Sequence, residues 1–236
     1  MNIALIFAGG VGNRFKLGQG PKQFMKVKGK EILVHTLEKF QECEAIDSII
    51  LVSNPDYIDT CAALIKQYNL SKVVETVPGG ITGQASIFNG LRYAANNFPK
   101  ESIILIHDGV RPLISNILIQ NNIEMVTRKG NAITVAPAIE TVIAIKGEHI
   151  EAVYDRVNCF HAKAPQSFIL GDIYQCHLKA IEEGLENIID SANLMSYYGH
   201  TLHVVEGSVD NIKVTTDKDF YILNALLQGE GDEDEI

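Results

Sequence analysis

The sequence lacks an apolar run long enough to span a membrane, a C-x-x-C pair and an excess of positive charge. It opens on a strand-like segment instead of an export signal, so we expect a cytoplasmic protein with no membrane partner. Its four scattered cysteines indicate neither a disulfide framework nor a zinc site. The formal net charge of −9 argues against a nucleic-acid partner, because neutralising phosphates requires a basic face.

The first turn of the chain also lacks two common nucleotide-binding loops. It contains neither the dinucleotide fingerprint G-x-G-x-x-G nor the P-loop G-x-x-x-x-G-K-[ST]. An apolar strand at 3–7 instead runs into a loop with three glycines and two cations: Gly9, Gly10, Gly12, Arg14 and Lys22. One interpretation is an ordinary strand–helix turn with solvated basic side chains. We favour polyphosphate binding, because glycines let backbone N–H groups approach a ligand and the cations complement its charge.

Apolar runs alternate with helical patterns along most of the chain. Strands are predicted at 3–7, 46–53, 72–77, 102–106, 132–136 and 201–205. Helices are predicted at 56–68, 84–97, 116–128, 171–183, 191–198 and 219–227. Near-continuous apolar strands separated by helices predict an α/β fold with a mostly parallel, doubly wound sheet in one domain, 1–228. The acidic residues of 229–236 predict a disordered tail.

The pattern changes after Pro137. The segments 141–145 and 150–153 flank a Lys146-Gly147-Glu148 turn and predict a β-hairpin arm spanning about 139–156. This arm is either a surface hairpin or a dimerisation device. We favour a homodimer formed through the arm.

Polar clusters follow several of the predicted strands. They occupy 9–14, 79–86, 107–111 and 211–215. In an open α/β sheet, ligands bind beyond the carboxyl ends of the strands. We therefore expect these four segments to meet at one crevice.

Two charged residues are the strongest candidates for chemistry in this crevice. Asp108 follows a buried strand, where a carboxylate can hold Mg²⁺ beside a triphosphate. Its alternative roles are to cap the following turn or to pair with Arg111. Lys213 lies between Ile212 and Val214, so it should point into the crevice when they face the core. The alternative is an ordinary surface lysine.

Other candidates have both structural and functional interpretations. Ser86 begins a predicted helix, where it either caps the helix or contacts a nucleotide. Asp190 is either a helix cap or a ligand for substrate hydroxyls. Arg156 and Lys163 flank the predicted hairpin and can bind a second anionic substrate. His107 is interpreted as a structural histidine with no catalytic role.

In combination, these motifs resemble a known family. The sequence contains A-G-G-x-G-x-R with P-K-Q, then G-G-x-x-x-x-x-S, H-D-G-V-R-P and D-N-I-K-V-T-T. They are similar, in order, to motifs of the sugar-phosphate cytidylyltransferases, which comprise methylerythritol-phosphate and ribitol-5-phosphate enzymes. The similarity runs from Ile3 to about Leu227. It implies a nucleotide-diphospho-sugar transferase fold with a dimerising arm. It also implies CTP and a polyol phosphate as substrates, with Mg²⁺ or another divalent cation as cofactor.

The resemblance completes the set of candidate site residues. The catalytic cations are Arg14, Lys22 and Lys213. The CTP-binding residues are Ala8, Gly9, Gly10, Gly12, Gly80, Ser86 and Asp108. The residues for the second substrate are Arg111, Thr141, Arg156 and Asp190, of which Thr141 and Arg156 can act across a dimer interface. The metal ligands are Asp108 and Asp210.

Departures from the methylerythritol-phosphate motifs indicate the substrate. That branch typically has H-D-A-A-R-P, an arginine where this chain has Gly83, and a threonine where it has Ile189. The motifs here resemble the ribitol-phosphate branch instead, so D-ribitol 5-phosphate is the expected substrate, for teichoic acid or capsule precursors. The alternative is 2-C-methyl-D-erythritol 4-phosphate. A non-catalytic nucleotide-binding protein is disfavoured, because binding alone would not require three cations. A dehydrogenase is disfavoured by the missing fingerprint.

Overall fold

A computed structural model describes residues 1–10, 20–185 and 188–229 of the chain. Within these ranges the chain forms eleven strands and seven helices. The strands are β1 (Asn2–Ala8), β2 (Lys26–Val27), β3 (Lys30–Glu31), β4 (Ser48–Ser53), β5 (Val73–Pro78), β6 (Ile103–Asp108), β7 (Asn131–Pro137), β8 (Ile143–Lys146), β9 (His149–Val153), β10 (Phe160–Ile169) and β11 (Val204–Glu206). The helices are α1 (Ile32–Glu42), α2 (Ile58–Gln67), α3 (Gly83–Asn97), α4 (Asn116–Lys129), α5 (Leu170–Glu182), α6 (Ser191–Tyr197) and α7 (Asp217–Gly229).

A seven-stranded sheet in the order β11-β7-β10-β6-β1-β4-β5 forms the centre of the fold. Strand β1 pairs in parallel with β4 and β6, β4 with β5, and β7 with β11. Apolar clusters cover both faces of this sheet, one involving α3 and α5 and the other involving α1 and α4. The predicted α/β fold with a mostly parallel, doubly wound sheet is therefore confirmed.

One strand of the sheet differs from the prediction. Strand β10 is antiparallel to both of its neighbours, β6 and β7, and no strand was predicted there. Pro165 lies inside it, where the ladder register shifts between Ala162 and Gln166. Because proline normally argues against a central strand, the sequence pattern conceals this one. Running antiparallel, β10 begins at the edge where the parallel strands end.

The segment before β4 was also left unassigned. It contains the short pair β2–β3 and the helix α1, which begins after Glu31 without a side-chain cap. The missing cap removes a sequence signal for the start of this helix. The apolar side chains of α1 pack against one face of the sheet, where Leu33, Leu37 and Phe40 are almost completely buried.

The predicted hairpin is present as a separate two-stranded sheet. Strands β8 and β9 pair antiparallel around Gly147, which has a φ of +61° that glycine adopts readily. The predicted tail, 229–236, lies outside the described residues except for Gly229.

Candidate active site

The glycine loop after β1 begins at a fixed point. The Gln23 side chain is 1% exposed, and its Nε2 donates to the carbonyls of Ala8 (2.8 Å) and Gly10 (3.2 Å). Residues 11–19 follow, so the predicted site residues Gly12 and Arg14 lie outside the described residues. Gln23 belongs to the P-K-Q motif but was not predicted as a site residue. It holds the described start of the loop.

A second glycine loop follows β5 and is shaped by Ser86. The Ser86 hydroxyl accepts from the Gly80 N–H at 3.0 Å and donates to the Thr82 carbonyl at 2.9 Å. A Cβ at Gly80 would lie 2.5 Å from the Ala85 Cβ, so the close turn requires glycine there. Thr82 caps α3 by accepting from the Ala85 N–H. The hydroxyl of Ser86 thus braces the loop, and its contact with CTP stays a prediction.

The two glycine loops lie against each other. A Cβ at Gly9 would stand 3.4 Å from the Ser86 Oγ, and the ends of β1 and β4 align through the pairing of Ala8 with Ser53. The predicted CTP-binding residues Gly9, Gly80 and Ser86 are therefore neighbours. They lie beyond the carboxyl ends of β1 and β5, the edge at which open α/β sheets bind ligands.

A buried carboxylate ends the adjacent strand β6. Asp108 is 5% exposed and pairs with Phe7 across the ladder. Its Oδ1 accepts from the Lys213 Nζ at 2.5 Å and its Oδ2 from the Arg111 Nε at 2.7 Å. Burial alone would raise the pKa of Asp108, but the Lys213 ammonium and the Arg111 guanidinium outweigh burial and hold it below its ordinary value. Asp108 is thus an anion, and the pairing with Arg111 considered from the sequence is present.

Lys213 reaches Asp108 from the segment before α7. Val214 is fully buried and Ile212 packs against the same cluster, while the Lys213 side chain is 43% exposed. As predicted, Ile212 and Val214 face the core and Lys213 points the other way, into the crevice. The Lys213 Nζ also lies 5.9 Å from the centre of the Phe7 ring.

Lys22 lies close enough to Asp219, at the start of α7, to influence its charge. Burial raises the pKa of Asp219, but hydrogen bonds from Thr216 and Thr215 and the nearby Lys22 ammonium lower it overall. Asp219 closes the first turn of α7, where its Oδ2 also accepts from the Thr216 hydroxyl at 3.0 Å. Lys22 therefore lies near the base of the segment that carries Lys213.

A cavity of about 930 Å³ opens beside this cluster. Five candidate residues named from the sequence line it: Asp108, Arg111, Lys163, Asp190 and Lys213. The wall beyond them is mainly apolar and includes Phe88, Ile181 and Leu185. A cationic end and a less polar body suit a ligand that is anionic at one end.

Asp190 is both a helix cap and part of the cavity wall. Its Oδ1 accepts from the Asn193 N–H at the start of α6, and its Oδ2 accepts from the Gln166 Nε2, each at 2.8 Å. Gln166 in turn accepts from the Ala192 N–H at 2.9 Å. Gln166 was not predicted as a site residue, because it lies on the concealed strand β10.

The two arm residues predicted to bind substrate lie elsewhere. Thr141 and Arg156 are both exposed, and neither is among the described residues that line the cavity. The Arg156 Nη1 donates to the Ile139 carbonyl at 2.9 Å within the arm. In a single chain the structure therefore does not join these two residues to the Asp108 cluster.

Known proteins match the whole of this architecture. The sequence profile of the IspD family, 2-C-methyl-D-erythritol 4-phosphate cytidylyltransferase, matches residues 2–229. The chain belongs to this family. The family and the relatives described below are cytidylyltransferases. The chain is therefore a cytidylyltransferase, which is a type of nucleotidyltransferase.

Relatives of this cytidylyltransferase fall into two groups by name. Ribitol-5-phosphate cytidylyltransferase of Streptococcus agalactiae is 46% identical, over 99% of this chain and 98% of the relative. 2-C-methyl-D-erythritol 4-phosphate cytidylyltransferase of Clostridium botulinum is 35% identical, over 96% and 97%. The crystal structure of 4-diphosphocytidyl-2C-methyl-D-erythritol synthase from Anaerococcus prevotii superimposes with a TM-score of 0.83 at 28% identity, covering 96% of this chain and 95% of that one.

The described residues of the cytidylyltransferase fit a metal ion that arrives with its substrate. They include no cluster of three or more histidine, cysteine, aspartate or glutamate side chains, and Asp210 is exposed and hydrogen-bonded to Ser208. Mg²⁺ is commonly held by one or two carboxylates together with substrate phosphates. Asp108 lines the cavity, but its two oxygens already accept from Lys213 and Arg111, so its role as a metal ligand stays a prediction, as does that of Asp210. When bound, Mg²⁺ would neutralise phosphate charge.

No helix in the described ranges is long and apolar enough to cross a membrane.

His107 is fully buried, and its Nε2 lies 3.2 Å from the Arg111 carbonyl. This contact agrees with a structural role for His107.

Two buried histidines predict how the stability of the enzyme depends on pH. Burial lowers the pKa of His107 and of His177 from 6.5 to about 4. Between these values the unfolded chain binds protons that the native state does not, so stability falls as the pH decreases from about 6.5 to about 4. Each pKa shift lowers the free energy of unfolding by about 3 kcal/mol once the pH has fallen below both pKa values.

His177→Leu separates one of the two contributions. The His177 ring nitrogens have no hydrogen-bond partner within the described residues, so leucine removes the titrating group without breaking a bond. Between pH 7 and pH 5, the free energy of unfolding measured in urea should fall by about 2 kcal/mol less in His177→Leu than in the wild type. The matched control is His149→Leu at an exposed position of the arm. An unchanged pH dependence in His177→Leu would contradict the assignment.

Proposed function

We propose that this enzyme joins CTP and D-ribitol 5-phosphate to give CDP-ribitol and pyrophosphate. The observation that carries the proposal is the cavity whose cationic end contains Asp108, Arg111 and Lys213. It is supported by the higher identity to a relative named for ribitol 5-phosphate than to one named for methylerythritol phosphate.

Two glycines support the ribitol branch, and one of them lies in the cavity wall. Gly83 lines the cavity, and no other heavy atom lies within 4 Å of where its Cβ would be, so the wall is open where the other branch carries an arginine. A Cβ at Gly109 would lie 2.9 Å from the Leu33 Cδ1 and 3.1 Å from the Ala8 Cβ. The alanine typical of the other branch would therefore need Leu33 or β1 to shift.

The proposed reaction needs positioning and charge more than acid–base chemistry. The phosphate of the polyol is already an anion at neutral pH, so its oxygen can attack the α-phosphorus of CTP in line while pyrophosphate leaves. The obstacle is repulsion between the two anions. Lys22 and Lys213, with Arg14, would stabilise the charge that grows on the bridging and non-bridging oxygens.

We further propose that the enzyme is a cytoplasmic homodimer, joined through the arm. Large apolar side chains are exposed on and beside this hairpin: Ile139, Ile145, Ile150, Val153 and Val157. An exposed apolar patch of this kind is typical of an interface between proteins. A second copy seated there can bring Thr141 and Arg156 to the cavity of its partner. The product, an activated ribitol phosphate, would serve cell-surface polymers such as teichoic acid or capsule.

A substrate panel tests the reaction. CTP and Mg²⁺ are combined separately with D-ribitol 5-phosphate and with 2-C-methyl-D-erythritol 4-phosphate, and pyrophosphate release is measured. We expect kcat/KM to favour ribitol 5-phosphate by at least about tenfold, because this chain differs from the methylerythritol-phosphate branch at Gly83 in the cavity wall and at Gly109 beside Asp108. Preference for the erythritol phosphate would overturn the substrate assignment. CTP binding without pyrophosphate release from any polyol phosphate would indicate a non-catalytic nucleotide-binding protein.

Two substitutions test the catalytic cations. Lys22→Ala and Lys213→Ala should each lower kcat by about 10²–10³, the usual cost of losing one preorganised charged donor. The matched control is Lys129→Ala, because exposed Lys129 ends α4 at the opposite edge of the sheet and should leave kcat unchanged. Circular dichroism and the melting temperature check that each variant folds. A variant with near wild-type turnover at saturating CTP would remove that lysine from the catalytic set.

The arm is tested by sedimentation. Val157→Asp places a charge on the exposed apolar surface and should convert the dimer to a monomer, whereas Ile117→Asp at an exposed isoleucine outside the arm should not. A dimer that persists in Val157→Asp and in Ile145→Asp would place the interface elsewhere, as would a wild type that is monomeric.

Subunit mixing tests whether Arg156 acts across the dimer. Arg156→Ala and Lys213→Ala proteins are each weakly active alone, and they are mixed after dissociation. If Arg156 serves the partner's cavity, mixed dimers contain one complete site, and about a quarter of all sites regain wild-type activity. If Arg156 serves its own cavity, every site lacks one of the two cations and mixing restores nothing. Arg156→Ala alone should raise KM for the polyol phosphate more than KM for CTP.

A further inference from the structure

Lys163 is a cation in the cavity wall whose donors already face backbone carbonyls. Its Nζ lies 2.7 Å from the Val209 carbonyl, 3.2 Å from that of Ser208 and 3.4 Å from that of Asn211. An ammonium group has three N–H donors and no acceptor. Direct contact with a substrate phosphate would therefore require Lys163 to give up a carbonyl that it now binds.

The three carbonyls belong to the irregular segment that leads to Lys213. This segment leaves the sheet after Gly207, whose N–H donates to the Val135 carbonyl, and it is fixed again where the Val214 N–H donates to the Val110 carbonyl. Between those two points its backbone is in neither a strand nor a helix. Backbone hydrogen bonds from Asn211 to Ser208 and from Ile212 to Asp210 shape the turn internally, so side chains from outside the segment help to set where it lies against the sheet.

Two further contacts fix this segment near Lys163. Arg111 donates from Nη1 to the Asn211 carbonyl at 2.9 Å, so it shares that carbonyl with Lys163. Asn211 is 1% exposed and donates from Nδ2 to the Ala164 carbonyl at 2.8 Å. Lys163 and Ala164 are adjacent in β10, where the ladder register shifts. The shifted part of β10 is thus the support on which the segment rests.

We propose that Lys163 is a positioning residue that fastens the segment 208–211 and thereby sets where the Lys213 ammonium meets the reacting phosphates. The inference rests on the proposed function for its catalytic consequence. It assigns Lys163 a different task from the one considered from the sequence, which was to bind the second anionic substrate. Burial and the nearby Arg111 charge lower the pKa of Lys163, while Asp210 opposes them, which reflects a side chain drawn partly into the protein.

Lys163→Met tests the proposal, because methionine keeps much of the stem and removes the donors. Without its fastening the segment shifts, and a displacement of about 1 Å at a reacting group can cost about 10² in rate. We expect kcat to fall about 10- to 100-fold, with both KM values within about threefold of wild type. Lys163→Arg retains charge and donors and should recover most of the turnover. A raised KM for the polyol phosphate with unchanged kcat would overturn the proposal and make Lys163 a substrate ligand.

A double-mutant cycle separates positioning from general destabilisation. If Lys163 acts through Lys213, then Lys163→Met should lower kcat little further in a protein that already carries Lys213→Ala. A further loss as large as in the wild-type background would overturn the proposal. The melting temperature of each variant is measured alongside, since a uniform loss of folded protein would lower activity in both backgrounds.

Hydrogen exchange tests the fastening without any assay of activity. In the substrate-free enzyme, peptides covering 206–215 should exchange faster in Lys163→Met than in wild type, while peptides of α4 exchange at the same rate. Unchanged exchange in 206–215 would overturn the proposal. Because this measurement needs no substrate, it stands even where the substrate panel rejects the proposed function.

Discussion

The candidate site depends on one buried anion, Asp108, held between two cations. A carboxylate this deep in the protein is costly to bury alone and is tolerated because Lys213 and Arg111 donate to its two oxygens. The pairing also works in the other direction. Asp108 fixes the ends of both basic side chains, which come from segments about a hundred residues apart in sequence. Ordered cations are what an approaching triphosphate requires, since they need no reorganisation when charge develops.

This arrangement gives an acidic protein a local site for anions. The chain has a formal charge of −9, yet the cationic end of the cavity combines three basic side chains, Arg111, Lys163 and Lys213, with the buried Asp108. The local excess of positive charge is screened little where the groups are partly buried. Net charge argues against a nucleic-acid partner, but it carries no information about a small anionic substrate.

The sequence predicted those parts of the site that follow continuous apolar strands. Asp108 and Arg111 come directly after β6, and their three-residue spacing allows the ion pair that forms. Gly80 and Ser86 follow β5, with α3 beginning within one residue of the prediction. In each case the local pattern fixes both the strand and the residue that leaves it.

The parts that were missed depend on long-range packing. Strand β10 contains Pro165 and has no clean alternation, so its position between β6 and β7 is decided by the rest of the sheet. Its antiparallel direction carries Lys163 and Gln166 to the site edge. Lys163 was a candidate because it follows the predicted hairpin, but its contacts were not foreseen, and Gln166 was not a candidate. Thr141 and Arg156 pose a different problem, because a second chain would be needed to bring them to the cavity.

The contacts also separate the basic residues by what their donors already bind. Lys163 faces three backbone carbonyls. Arg111 donates from Nε to Asp108 and from Nη1 to the Asn211 carbonyl, and the Arg111 side chain is only 11% exposed. The Lys213 ammonium pairs with Asp108, and its side chain is 43% exposed. Among these three, Lys213 can therefore turn toward a phosphate at the smallest cost in internal bonds. Arg111 would keep Asp108 paired while it did so, which prevents an isolated buried charge.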